Sequence, residues 1–89
     1  MRIKKEYVLR EVANTWIVVP IGKSAVNFNG ILSLNETGRF IWQQLEKGAS
    51  EKDIIEALTS SYDVSPEKAQ NDISSFITKI REINCIEDD

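Results

Sequence analysis

Hydrophobic and polar positions along this chain of 89 residues change their period once, at Asn35. Before it, apolar side chains fall in short β-branched and aromatic runs separated by turn residues; after it, they recur every three or four positions. The pattern predicts a sheet half followed by a helix half. Residues 7–12 and 16–19 read as the strands of an antiparallel hairpin, separated by Ala13, Asn14 and Thr15. In the first strand Tyr7, Leu9 and Glu11 share one face and Val8, Arg10 and Val12 the other, whereas the second is apolar on both faces, as suits a central strand. Pro20 has no N–H for the ladder and is expected to end that strand. A loop at Gly22, Lys23 and Ser24, an extended piece at 25–28 and a turn at Asn29-Gly30 lead to a third strand at 31–34. Such a meander leaves unpaired backbone groups on its outer strands unless something covers them.

The helix half carries its own punctuation. Asn35 is a favourable N-cap with Glu36 at the positive end of the helix dipole; Thr37, Ile41 and Leu45 form the apolar stripe, Phe40 and Trp42 flank it, and Gly48 stops the helix. A second helix opens on the capping-box pattern Ser50-Glu51-Lys52-Asp53 and lines up Ile54, Ile55, Leu58 and Tyr62. The third starts at Ser65-Pro66, where Val64 can staple onto Ala69, and carries Ala69, Ile73, Phe76, Ile77, Ile80 and Ile83. Cys85 and Ile86 close the core, and Glu87-Asp88-Asp89 reads as a frayed acidic tail. The expected fold class is α+β: a winged-helix-like arrangement of a three-stranded antiparallel sheet followed by three helices, one domain over 1–89 with its core at about 7–86.

Composition narrows the chemistry. A chain this short buries only about 60% of its unfolded surface, which disfavours a deep active-site cavity. Its 42% hydrophobic and 28% charged residues are ordinary for a soluble domain, and neither a membrane span nor a secretion signal is legible, so a cytoplasmic location is expected. The single Cys85 cannot form an internal disulfide, and the absence of histidine removes the commonest general base and metal ligand. Acidic neighbours Glu82, Glu87 and Asp88 would raise the Cys85 pKa, and helix capping accounts for Glu36 and Asp53. No nucleophile, base and orienting group can be assembled, so the expectation is a non-enzyme without cofactor or metal.

Recognition remains. A free edge at the third strand would offer main-chain N–H and C=O groups at the pitch of an extended peptide, with pockets toward the third helix giving selectivity. Proline at Leu32 is expected to abolish such docking. The competing reading is a winged-helix DNA-binding or regulatory domain. A net charge of −3, with Glu51, Asp53, Glu56, Glu67, Asp72 and Glu82 set against Lys52, Lys68, Lys79 and Arg81 on the second and third helices, does not attract phosphates. A purely structural subunit of a larger enzyme is a third reading, and an open edge could also pair two copies, leaving monomer or homodimer.

Trp16-Ile17-Val18-Val19-Pro20, Asn29-Gly30-Ile31, Leu34-Asn35-Glu36-Thr37-Gly38, Phe40-Ile41-Trp42 and Tyr62-Asp63-Val64, in that order, resemble the PqqD family, named for pyrroloquinoline quinone biosynthesis protein D. The segment between Val19 and Leu34 is longer than in the quinone-pathway members, so the chain is more similar to the broad PqqD-like group. The resemblance implies a recognition element for ribosomally made, post-translationally modified peptides. The leader of a precursor peptide would add as a strand and be presented to a modifying enzyme, often a radical S-adenosylmethionine enzyme. Carried onto this sequence, it implies a peptide site of Gly30, Ile31, Leu32, Ser33 and Leu34 on the strand, faced by the third helix, where spacing selects Phe76, Lys79, Ile80 and Ile83.

Overall fold

The computed structural model describes residues 1–22 and 32–88. Strand β1 (Arg2–Ile3) is followed by β2 (Tyr7–Val12), β3 (Thr15–Pro20) and β4 (Leu32–Leu34), then by helices α1 (Glu36–Glu46), α2 (Glu51–Ser61) and α3 (Pro66–Glu82), and finally by β5 (Ile86–Glu87). Strands β2, β3 and β4 form an antiparallel sheet in that order, and the three helices follow it, so the fold is α+β as expected. The turn Asn29-Gly30, the extended piece at 25–28 and the start of the third strand at Ile31 lie outside the described residues.

The β2–β3 turn is one residue shorter than the sequence pattern suggests. Ala13 and Asn14 both have positive φ, 50° and 65°, while Thr15 already pairs with Val12. A two-residue turn with both residues left-handed matches the right-handed twist of the flanking strands. Its length fixes the parity of the ladder: Val12–Thr15 is a hydrogen-bonded pair, hydrogen-bonded pairs alternate from there, and Ile21 N–H donating to Glu6 C=O at 2.7 Å keeps the same phase. Thr15, Ile17 and Val19 thus turn their backbone groups toward β2, and Trp16, Val18 and Pro20 toward β4.

That parity explains Pro20. The strand ends at Pro20 as expected, and the missing N–H falls on the β4 side, so β2 keeps its Tyr7–Pro20 pair and Ile21 N–H still reaches Glu6 C=O beyond it.

Each helix begins on the cap its sequence announces. Asn35 accepts from Gly38 N–H at 2.7 Å, Ser50 and Asp53 exchange the two bonds of a capping box, and Ser65 accepts from Lys68 N–H at 3.1 Å. Gly48 follows α1 with φ +84°, the left-handed position glycine adopts without strain. The core gathers Val18, Leu32 and Leu34 from the sheet, Ile41, Trp42 and Leu45 from α1, Ile54 and Leu58 from α2, and Ala69, Ile73, Ile77 and Ile80 from α3. Trp42 has no exposed surface and sits at the centre rather than on a flank of α1. Among the described residues no helix is long and apolar enough to cross a membrane.

The acidic end is not a frayed tail through Asp88. Arg2 pairs with Glu87 and Ile3 with Ile86, Lys4 N–H donates to Cys85 C=O at 2.9 Å, and Ile3 and Ile86 are buried. Arg81 then holds Asp88 through two bonds of 2.8 and 2.9 Å. This fork lowers the Asp88 carboxyl below its ordinary pKa, mainly through the hydrogen bond to Arg81. A depressed folded-state value means the ordering it contributes is complete above the unfolded value, near pH 4, and is lost as pH falls through the lower folded one. Backbone ¹⁵N relaxation of Asp88 is therefore expected to show this residue ordered at pH 6 and increasingly mobile as pH falls below its ordinary carboxylate range, with Arg81→Ala giving the mobile state already at pH 6.

Candidate functional site

The parity set by the hairpin carries over to β4. Leu34 opposes Trp16 and Leu32 opposes Val18, both hydrogen-bonded positions, whereas Ser33 opposes Ile17 in a non-hydrogen-bonded pair. Ser33 therefore points its N–H and C=O away from β3, and among the described residues no strand pairs with that outer edge. The side chains of Leu32 and Leu34 turn to the core at 9% and 8% exposure while that of Ser33 is in solvent. The expectation that proline at Leu32 would test the edge is corrected by this geometry: the Leu32 N–H belongs to the inner ladder, and Ser33 is the residue whose N–H faces outward.

Helix α3 meets the Asn35 end of this strand through Phe76, whose ring lies against Gly38 next to Leu34. With 3.6 residues per turn, Ala69, Ile73, Ile77 and Ile80 share its buried face, and Asp72, Phe76, Lys79 and Ile83 run along one margin at steps of four, three and four. Of the four positions chosen from spacing, Phe76 and Ile83 are half-buried and Lys79 is exposed on this margin. Ile80 is corrected: it has no exposed surface and packs in the core, so it offers nothing to a guest. Asp72 lies on the margin and was not selected from the pattern, because an acidic residue on a helix face carries no signal of a groove. Gly30 and Ile31 lie outside the described residues.

The margin meets the sheet at Gly38. A Cβ placed there would come within 3.2 Å of the Phe76 ring, 3.2 Å of the capping oxygen of Asn35 and 3.5 Å of Leu34 Cβ, so the glycine lets the Phe76 ring lie against the first turn of α1 just past the end of β4. Beyond it a concavity of about 340 Å³ opens between Asn35, Thr37, Asp72, Ser75 and Phe76. Trp16 closes the same end of the sheet, with the Arg39 guanidinium 5.2 Å from its ring centre.

Chemically the site offers main-chain pairing, an aromatic wall and the ion pair of Lys68 with Asp72, 3.0 Å apart. Among the described residues no three His, Cys, Asp or Glu side chains come together to hold a metal ion. Cys85 is fully buried, and burial pushes its thiol up to about 11, with Lys4 pulling weakly the other way. Such a thiol is protonated and inaccessible at neutral pH. Labelling with a thiol-specific chromogenic reagent at pH 8 is expected to proceed only as fast as the fold opens, with full reactivity restored in denaturant; rapid labelling of the native protein would show an exposed thiolate instead.

Among solved structures, a chain described as TbiB1 in complex with the TbiA(beta) leader peptide shares this fold with a TM-score of 0.78 at 20% identity, over 98% of this chain and 95% of that one. Another, a lasso peptide synthetase B1 complexed with the leader peptide, aligns at 0.74 and 27% identity over 94% and 93% of the two chains. No curated protein matches. The family model for coenzyme PQQ synthesis protein D matches residues 15–86, a span that takes in β3, β4, all three helices and the groove between them; the chain belongs to the PqqD family.

Proposed function

We propose that this protein binds the leader segment of a ribosomally synthesised precursor peptide without catalysing any reaction on it, and presents the peptide to a modifying enzyme. The observation that carries this reading is Ser33, whose N–H and C=O point outward from a strand otherwise anchored in the core by Leu32 and Leu34. An extended guest that pairs with Ser33 sends alternate side chains toward the α3 margin of Phe76, Lys79 and Ile83, so main-chain bonds supply register and the margin supplies selectivity. Both structural neighbours are described as complexes with leader peptides, which supports the same occupant here. Family membership supports a radical S-adenosylmethionine enzyme as the recipient, and a lone buried thiol is in keeping with a reducing cytoplasm. The protein acts as a monomer when loaded, since a second copy paired through β4 would occupy the edge the guest needs.

The test is a binding titration with synthetic leader peptides of precursors that PqqD-family proteins serve, run beside a duplex DNA control at 50 and 200 mM salt. Leader affinity is expected to change only slightly with salt, because apolar contacts and main-chain bonds dominate. A duplex binder making several phosphate contacts would lose about 10³-fold or more over that range. Tight, salt-steep DNA binding with no leader binding would overturn the proposal.

A further inference from the structure

Resting on the peptide-binding reading above, we propose that the guest is gripped at a second point. Past the Asn35 end of β4, one of its aliphatic side chains enters a separate pocket between the end of α2 and the start of α3. The concavity beside Phe76 is not isolated. A smaller one of about 180 Å³, floored by Leu58 and Val64 and walled by Tyr62, shares Thr37, Lys68 and Asp72 with it, so the two lie side by side along α3. Asn35, the residue that follows β4, lines the first of them. An extended chain leaving the strand register at that end is thereby led along α3 toward its N-terminus.

The second pocket is built rather than incidental. Its Tyr62 wall is fixed from two sides, by an edge-on contact with Phe40 at 5.3 Å between ring centres and by its hydroxyl donating to Glu36 at 3.4 Å. Its lip is the Lys68–Asp72 pair, 3.0 Å apart, in which each charge already has a partner. The floor is apolar, Lys68 and Asp72 balance each other, and Asp63 adds one negative charge at the rim, so the pocket suits an apolar side chain and disfavours an acidic one. Its size falls below the roughly 300 Å³ at which small-molecule sites begin, which suits one aliphatic side chain on a tethered chain and not a free cofactor. Phe76 and Lys68 are eight residues apart on α3, about 12 Å along the axis, a distance covered by about four residues of extended peptide. The guest should therefore carry two apolar anchors about four positions apart.

A phage-displayed library of random 16-residue peptides, panned on the full chain and on the variants Asp63→Trp, Val64→Ser and Ser33→Pro, tests this. Asp63 is an exposed lining residue, so a ring there can fill the pocket without entering the core; Val64→Ser instead removes part of the floor. On the unaltered chain the enriched peptides are expected to show two apolar positions three to five residues apart. On either pocket variant the outer preference should vanish, the inner one persist, and a peptide selected on the unaltered chain should bind about tenfold more weakly. A single anchor, or the same pair on both pocket variants, would overturn the second grip. If those peptides still lose binding on Ser33→Pro, the strand reading stands without it. Peptides indifferent to Ser33→Pro, or no enrichment at all, would overturn both.

Discussion

Ser33→Pro is expected to abolish leader binding, weakening it by about 100-fold or more, while leaving the melting temperature close to that of the unaltered protein. The asymmetry follows from which way one N–H points. Ser33 opposes Ile17 at a position that makes no bond to β3, so proline there removes nothing from the inner ladder. On the outer side it deletes the donor for a guest carbonyl and sets a ring where the guest backbone would lie. A guest carbonyl left unpaired costs about 1–3 kcal/mol and the lost bond about 1 kcal/mol, which together reach the 100-fold range before the ring's bulk is counted. Leu32→Pro is the matching control: it breaks the Leu32–Val18 pairing, so it should lower stability and binding together. Calorimetric melting and peptide titration on both variants separate the two effects; equal destabilisation by both would mean the parity is wrong.

Trp42→Ala is expected to have the largest effect on stability. Trp42 is the bulkiest of the fully buried side chains, on a helix exposed only at its end residues Glu36 and Glu46, and truncating it costs about 3–5 kcal/mol. Domains of this size have about 5–10 kcal/mol in total, so the melting temperature should fall by about 15–30 °C. Trp42→Phe should cost far less than its lost volume implies. The indole Nε1 has no hydrogen-bond partner among the described residues, and removing a buried unpaired donor returns part of the packing loss. Thermal melts followed by far-ultraviolet circular dichroism check both variants. A Phe variant as unstable as the Ala variant would mean that the indole N–H is paired in the folded protein.

What the sequence made legible was whatever is decided locally. The caps at Asn35, Ser50 and Ser65 were readable because each needs only a side-chain oxygen and an N–H two or three residues on. The three helices, the sheet-then-helix order and the placement of the third strand followed from periodicity for the same reason. The orientation of that strand's edge was not readable, since it depends on whether the first turn has two residues or three, and Thr15 could be read either as turn or as strand. The Arg2–Ile3 and Ile86–Glu87 ladder was hidden because a two-residue strand has no period and exists only when distant ends meet. On α3, Phe76 and Ile80 carry the same apolar signal four positions apart; only packing against α1 and α2 puts Ile80 inside and leaves Phe76 on the margin. The groove itself is a product of tertiary contact, for Asp72 and Thr37 are unremarkable polar residues in isolation.

The most direct measurement is the backbone amide spectrum of the ¹⁵N-labelled protein during titration with a leader peptide. Pairing at β4 should shift the Ser33 N–H strongly downfield and slow its exchange with solvent, move the amides of Phe76 and Lys79, and leave Leu32 and the outer edge of β2 little changed. Saturable binding in which Ser33 keeps its free-state shift and exchange rate would contradict strand addition at this edge.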